Sequence, residues 1–177
     1  IDAARMIAQQ LGLPFGGEHH KRDLLAEEAE RQRIARQRDQ RQRKADVERQ
    51  AGWDRAAARA RHDFALADLP RPDHPYLARK GIKAHHLRQL GNVLLAPICW
   101  RGDVVNLQRI AADGSKRFLP GGRITGCYCP FGRIEAGVEL LIVEGIATAA
   151  SLHEQTGKPV AAALSAGNLL AVGEELK

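Results

Sequence analysis

The sequence predicts an α+β fold followed by an α/β unit. Three parts are expected: a long N-terminal helical extension, a small basic antiparallel-sheet subdomain, and the first βαβ half of a Rossmann-like domain. Three observations lead there. From Lys21 to Ala67 the chain has no proline and only Gly52 as a glycine, and it is dominated by Arg, Gln, Glu and Ala, all tolerated or favoured in helices. From Asn92 onward short apolar runs alternate with turn residues, Asp113-Gly114 among them, the signature of antiparallel strands. Near the C-terminus two apolar runs, Leu140–Val143 and Val160–Leu164, flank an alanine-rich stretch from Ala147 to Gln155. That order reads as strand, crossover helix, parallel strand.

Taken in order, Asp2 is placed to cap a short helix with Ala3, Ala4, Ile7, Ala8 and Leu11 on one face, stopped at Gly12. Pro14, Gly16 and Gly17 then break the chain. In the long helix, Ile34 and Val47 are too sparse for a heptad seam. Arg31, Arg33, Arg36, Arg38, Arg41 and Arg43 wrap around it rather than lining one face. This half is therefore read as a solvated linker between an upstream domain and the core, rather than a nucleic-acid-facing arm. The second half carries Trp53, Ala56, Ala57, Ala60 and Phe64 at helical spacing and should dock, with a bend expected near Gly52. Leu69-Pro70-Arg71-Pro72 is a linker signal. Tyr76–Arg79 and Ala84–Leu90 read as short helices around Gly81; Val93–Ile98, Val104–Ile110, Arg117–Leu119 and Tyr128–Phe131 read as strands. The expected divisions fall at residues 1–69, 70–136 and 137–177.

The chain has 177 residues and a formal net charge of +6. No apolar run reaches membrane-span length and the N-terminus carries no signal-peptide pattern, so a cytoplasmic protein with no membrane partner is expected. Ile1 at the start suggests material upstream. Cys99, Cys127 and Cys129 are read as reduced thiols, with Cys99 and one of the Cys127/Cys129 pair as small buried residues. They and the pairs His19-His20 and His85-His86 lack zinc-ligand spacing.

Glu144 is the sharpest candidate for chemistry. It ends an apolar strand at the edge where open α/β sheets bind ligands, with Gly145 letting a phosphate or metal approach the backbone and Ser165-Ala166-Gly167-Asn168 beside it. A second constellation is cationic: Arg79, Lys80, Lys83, Arg101, Arg109, Lys116, Arg117, Arg123 and Arg133. Such clusters neutralise phosphates; Arg79-Lys80 and Lys116-Arg117 are the strongest candidates. Tyr76, Phe118 and Tyr128 are candidates for base stacking but read more readily as core. Gly121-Gly122-Arg123 lacks the lysine and serine spacing of a nucleotide-binding P-loop, so an ATPase is unsupported.

Leu141-Ile142-Val143-Glu144-Gly145 resembles the first motif of the Toprim domain. The longer ordered set resembles DNA primases of phages, plasmids and integrated elements. It comprises His74 to Ile82, Leu107 to Ile110, Asp113 to Gly122, Glu144 to Ala149 and Ala163 to Leu169, and covers about residues 74–177. The resemblance implies synthesis of RNA primers from nucleoside triphosphates on a single-stranded DNA template. It also implies a Mg²⁺ or Mn²⁺ cofactor, with Glu144 as catalytic residue or metal ligand, and a replicative helicase as partner. Zinc is expected only in a domain upstream of residue 1. The subdomain before Toprim would grip template and hybrid through Arg79, Lys80, Lys83, Arg109, Lys116, Arg117 and Arg123. This sequence departs from the pattern in having no Asp-x-Asp motif after Val160–Leu164. Glu174 and Glu175 read as the outer side of a closing helix, not as substitutes. The chain is accordingly expected to stop inside the Toprim domain and to be inactive alone. A Toprim-family nuclease and a non-catalytic single-stranded-DNA-binding replication module are the alternatives.

Overall fold

The computed structural model describes residues 2–12 and 17–177. The chain divides into two compact units, Ile1–Glu48 and Arg49–Lys177. The first holds helix α1 (Asp2–Gln10) and α2 (Gly17–Leu66) as far as Glu48. Pro14, Gly16 and the capping side chain of Asp2 lie outside the described residues. In this unit Ile34 and Val47 are exposed, and the helix surface is laced by pairs one turn apart, Arg31–Glu27 and Arg33–Glu30. Exposed pairs of this kind contribute a few tenths of a kcal/mol. This is the solvated helix that the composition predicts.

The second unit begins inside α2, which runs through Gly52 as unbroken helix. The docking face is as predicted. Ala60 is fully buried with Leu95, Leu107 and Leu119, and Phe64 packs against them. Helix α3 (Pro75–Lys80) follows, capped by buried His74, whose Nδ1 accepts from the Tyr76 N–H, and closed by Gly81 at φ 62°.

Four strands then form an antiparallel sheet in sequence order: β1 (Arg88–Leu90), β2 (Val93–Trp100), β3 (Asp103–Ala111) and β4 (Lys116–Phe118). Arg101 and Gly102, at φ 51° and 85°, make the tight β2–β3 turn that suits strand twist. Asp113-Gly114 turns β3 into β4, with the Asp113 carboxylate accepting from the Ser115 N–H. The expected helix Ala84–Leu90 is corrected: residues 88–90 are strand. Gln89 exchanges backbone hydrogen bonds with Asp68 on one side and registers with Leu94 on the other. Those non-local bonds outweigh a weak local helix preference.

A second, mixed sheet has the order β5 (Cys129–Phe131), β7 (Val160–Ala162), β6 (Leu141–Val143). β6 and β7 are parallel neighbours joined through α4 (Ile146–Thr156), as expected; β5 pairs antiparallel with β7. The strand at Tyr128–Phe131 thus belongs to this sheet, tied to the first by the Cys99–Tyr128 bridge. A short 3₁₀ turn (Ala166–Asn168) and α5 (Leu169–Glu175) close the chain. Fully buried Ala149, Ala150, Ala161, Ala162 and Ala163 let α4, α5 and the strands approach closely. No described helix is long and apolar enough to cross a membrane.

Candidate functional site

Glu144 follows the last residue of β6 and precedes Gly145, the N-cap of α4. Its carbonyl accepts the Leu164 N–H at 2.7 Å while its side chain is exposed. The carboxylate therefore stands at the C-terminal edge of the parallel pair. Gly145 has φ −112°, and an added Cβ would meet only Thr148 Oγ1 at 3.7 Å. Neither packing nor backbone geometry demands glycine there, so its effect is to leave the edge open. Across from it Leu164 sits at φ 74°, a conformation that costs a leucine about 1–3 kcal/mol and concentrates at functional positions. Nothing in the local sequence signals that strain.

Lys116, from the other sheet, comes within electrostatic reach of Glu144. Its ammonium lies 5.7 Å from the centre of the buried Tyr76 ring. Desolvation lowers its pKa first and repulsion from Lys80 adds to this, while the Glu144 carboxylate acts in the opposite sense. Lys116 is thus within electrostatic reach of both the Glu144 carboxylate of one sheet's edge and the Lys80 ammonium at the end of α3.

The remaining predicted cations do not form one patch with these. Arg79 donates to the Ala112 carbonyl at 3.3 Å, and a Cβ on Gly114 would collide with its guanidinium, so it braces the β3–β4 turn. Lys83 lies beside Glu154, whose carboxylate accepts the Lys83 N–H and pairs with His85; the first of these holds Glu154 below the usual carboxylate range. Arg123 stacks on Trp100 at 3.7 Å and faces Trp53 at 5.2 Å. Arg101 also lies over Trp100 and pairs with Glu175 at 3.0 Å, so Glu175 is a partnered, half-buried group rather than part of a free outer side. Arg133 pairs with Glu135. Arg109 and Arg117 face each other across β3 and β4, on the opposite side of the sheet from Lys116. Tyr76 and Tyr128 are core; Phe118 is half-buried.

One residue that sequence reasoning noted only by position organises the edge. Asn168 is buried; its Nδ2 donates toward the carbonyls of Ile124, Cys127 and Ala163, and its Oδ1 accepts the Gly126 N–H. It pins the loop before β5 to the end of β7.

The three cysteines are buried and free. Burial pushes the thiols of Cys99 and Cys127 up to about 11, so they are not thiolate ligands at neutral pH. Among the described residues no group of three or more His, Cys, Asp or Glu is placed to hold a metal ion. Glu144 alone does not fit a resident Mg²⁺, which needs further carboxylates or substrate phosphates.

Comparison with known proteins points to the DNA primases. The chain is 33% identical over 138 residues to DNA primase TraC of Escherichia coli, an alignment covering 73% of this chain and 10% of that protein. A second DNA primase TraC of Escherichia coli is 38% identical over 109 residues, covering 58% of this chain and 10% of its own length. The resemblance to DNA primases read from the sequence is thereby borne out. The chain spans about a tenth of the length of these curated relatives. No family model matches, and no solved structure matches.

Proposed function

We propose that this chain is part of the catalytic region of a Toprim-type DNA primase, a cytoplasmic enzyme that makes RNA primers on single-stranded DNA for a plasmid, phage or integrated element. One observation carries the reading. An exposed carboxylate closes the parallel β6–β7 edge, and Lys116, itself within electrostatic reach of Lys80, stands within electrostatic reach of it. In this reading the two lysines hold template or nucleotide phosphates beside the edge. Phosphoryl transfer needs its developing charge neutralised at the reacting centre, and fixed ammonium groups contribute to that. Glu144 orients or accepts a proton from the attacking hydroxyl, and is one donor of a Mg²⁺ or Mn²⁺ ion only where other carboxylates or phosphates complete the set. The parallel βαβ unit supports a Toprim fold, and the primase-named relatives support the reaction class.

The test is primer synthesis on a single-stranded template by the full-length protein. Glu144→Gln keeps size and removes charge; it should lower synthesis at least a hundredfold while template affinity stays within about twofold, since lost charge stabilisation in such reactions is worth several kcal/mol. Synthesis near the wild-type rate would remove Glu144 from the chemistry.

A further inference from the structure

Two neighbouring N–H groups beyond the end of β7 both bond to β6 and its continuation. Ala163 donates to the Val143 carbonyl and Leu164 to the Glu144 carbonyl, each at 2.7 Å. Along an extended strand consecutive N–H groups point to opposite sides, so both reach the same neighbour only where the chain leaves that conformation. It does so at Leu164, at φ 74°. Asn168 fixes the turn from the other side: its Nδ2 donates to the Ala163 carbonyl at 2.9 Å, and its backbone N–H donates to the Ser165 carbonyl at 3.2 Å. Glycine or asparagine adopts this conformation with little strain. A leucine persists in it only where its surroundings over-determine it, and Leu164 is half-buried against the main core. Glu144 has few other constraints. β6 is an edge strand, hydrogen-bonded to β7 alone. Gly145, next in the chain, brings no side chain to pack and caps α4 without a side-chain bond. No hydrogen bond or ion pair among the described residues holds the Glu144 carboxylate.

The geometry points to Leu164 as a positioning residue for Glu144, with Asn168 as its clamp. The left-handed turn holds the Glu144 peptide plane against the end of β7, and that plane sets the direction in which the carboxylate leaves the strand. This role rests on the proposed reading that Glu144 takes part in phosphoryl transfer. Direction matters there, because a misplacement of about 1 Å can lower a rate by about a hundredfold. Energetics separate the role from a merely structural one. Leu164→Gly relieves the strained backbone and removes a half-buried side chain, two opposing effects of similar size. Stability should therefore change little, while Glu144 loses its fixed direction.

The experiment is steady-state primer synthesis by the full-length protein on a single-stranded template, with template affinity and thermal melting measured for each variant. Leu164→Gly should lower kcat about tenfold or more, with KM for the nucleoside triphosphates and template affinity within about twofold, the pattern of an interaction used only in the transition state. Its melting transition should move by less than about 3 °C. The decisive comparison is the same substitution made in Glu144→Gln. Once the charge is gone its direction no longer matters, so Leu164→Gly should cost less than about twofold there, the non-additivity of groups that act through one another. An equal loss in both backgrounds overturns the proposal, because a general structural defect lowers them alike. A fall in kcat that comes with a lower melting transition also makes Leu164 structural and overturns it. Wild-type kcat in Leu164→Gly, with Glu144→Gln impaired, removes the positioning role and leaves Glu144 in the chemistry. Synthesis near the wild-type rate by Glu144→Gln overturns the reading of Glu144 and the role of Leu164 with it.

Discussion

The two sheets of the second unit are stabilised by different means. The antiparallel sheet has strands of eight and nine residues at its centre, β2 and β3, paired along nearly their whole length. The mixed sheet has three strands of three residues each. So short a ladder cannot stand on its own hydrogen bonds. It is held by close packing of alanines and by Asn168, whose two amide hydrogens are shared among three carbonyls. The difference carries over to the surface. The long ladder presents cations on both faces, whereas the short sheet presents a single carboxylate, Glu144, at the end of β6. Rigid ladder and tethered edge meet at Lys116, and the candidate site is assembled from both.

The largest expected effect comes from cutting the tether. Asn168→Ala leaves buried carbonyls and the Gly126 N–H without their partner. At ~1 kcal/mol per hydrogen bond, it should destabilise the second unit by about 3–4 kcal/mol in urea unfolding. A loss under about 1 kcal/mol would mean that packing alone holds the mixed sheet.

A smaller effect probes the seam between the sheets. His86 lies just before β1, its ring 5.0 Å from that of Phe131 in β5 and its Nε2 3.5 Å from Cys129 Sγ. Burial, then repulsion from His85 and His153, lowers its pKa to about 4 from an ordinary 6.5. The folded state keeps His86 neutral where the unfolded chain binds a proton. Its contribution is therefore intact above pH 6.5 and is lost progressively as pH falls toward 4, on the order of 3 kcal/mol in all. His86→Gln should flatten that part of the pH–stability curve. An unchanged curve between pH 7 and 4.5 would show that the seam is open to water.

Much of this was legible in the residues themselves. Apolar runs ended by Glu144 and by Leu164 announced the parallel pair, and Asp113-Gly114 announced a hairpin. Asn168 was visible only as a neighbour, because three of its four hydrogen bonds reach residues far away in sequence. The strand at Arg88–Leu90 has no local pattern and exists because Asp68 and β2 pair with it from either side. β5 is three residues with a proline in the middle; only its pairing with β7 assigns it to the mixed sheet. Lys116-Arg117 looked like one basic dipeptide, yet period-two alternation sends the neighbours to opposite faces. That periodicity was available in the sequence and separates the pair onto two faces of the sheet.

The assembly of one site from two sheets is tested most directly at Lys116. Nuclear magnetic resonance of lysine side chains labelled with ¹³C gives the pKa of its ammonium in the wild-type chain and in Glu144→Gln. Lys116 should titrate below the ordinary lysine range in the wild type, because desolvation and Lys80 outweigh Glu144. It should titrate lower still once the Glu144 charge is gone, with Arg109→Gln producing no comparable change. A Lys116 pKa unmoved by Glu144→Gln would contradict the shared site and leave the carboxylate and the cations as separate features of separate sheets.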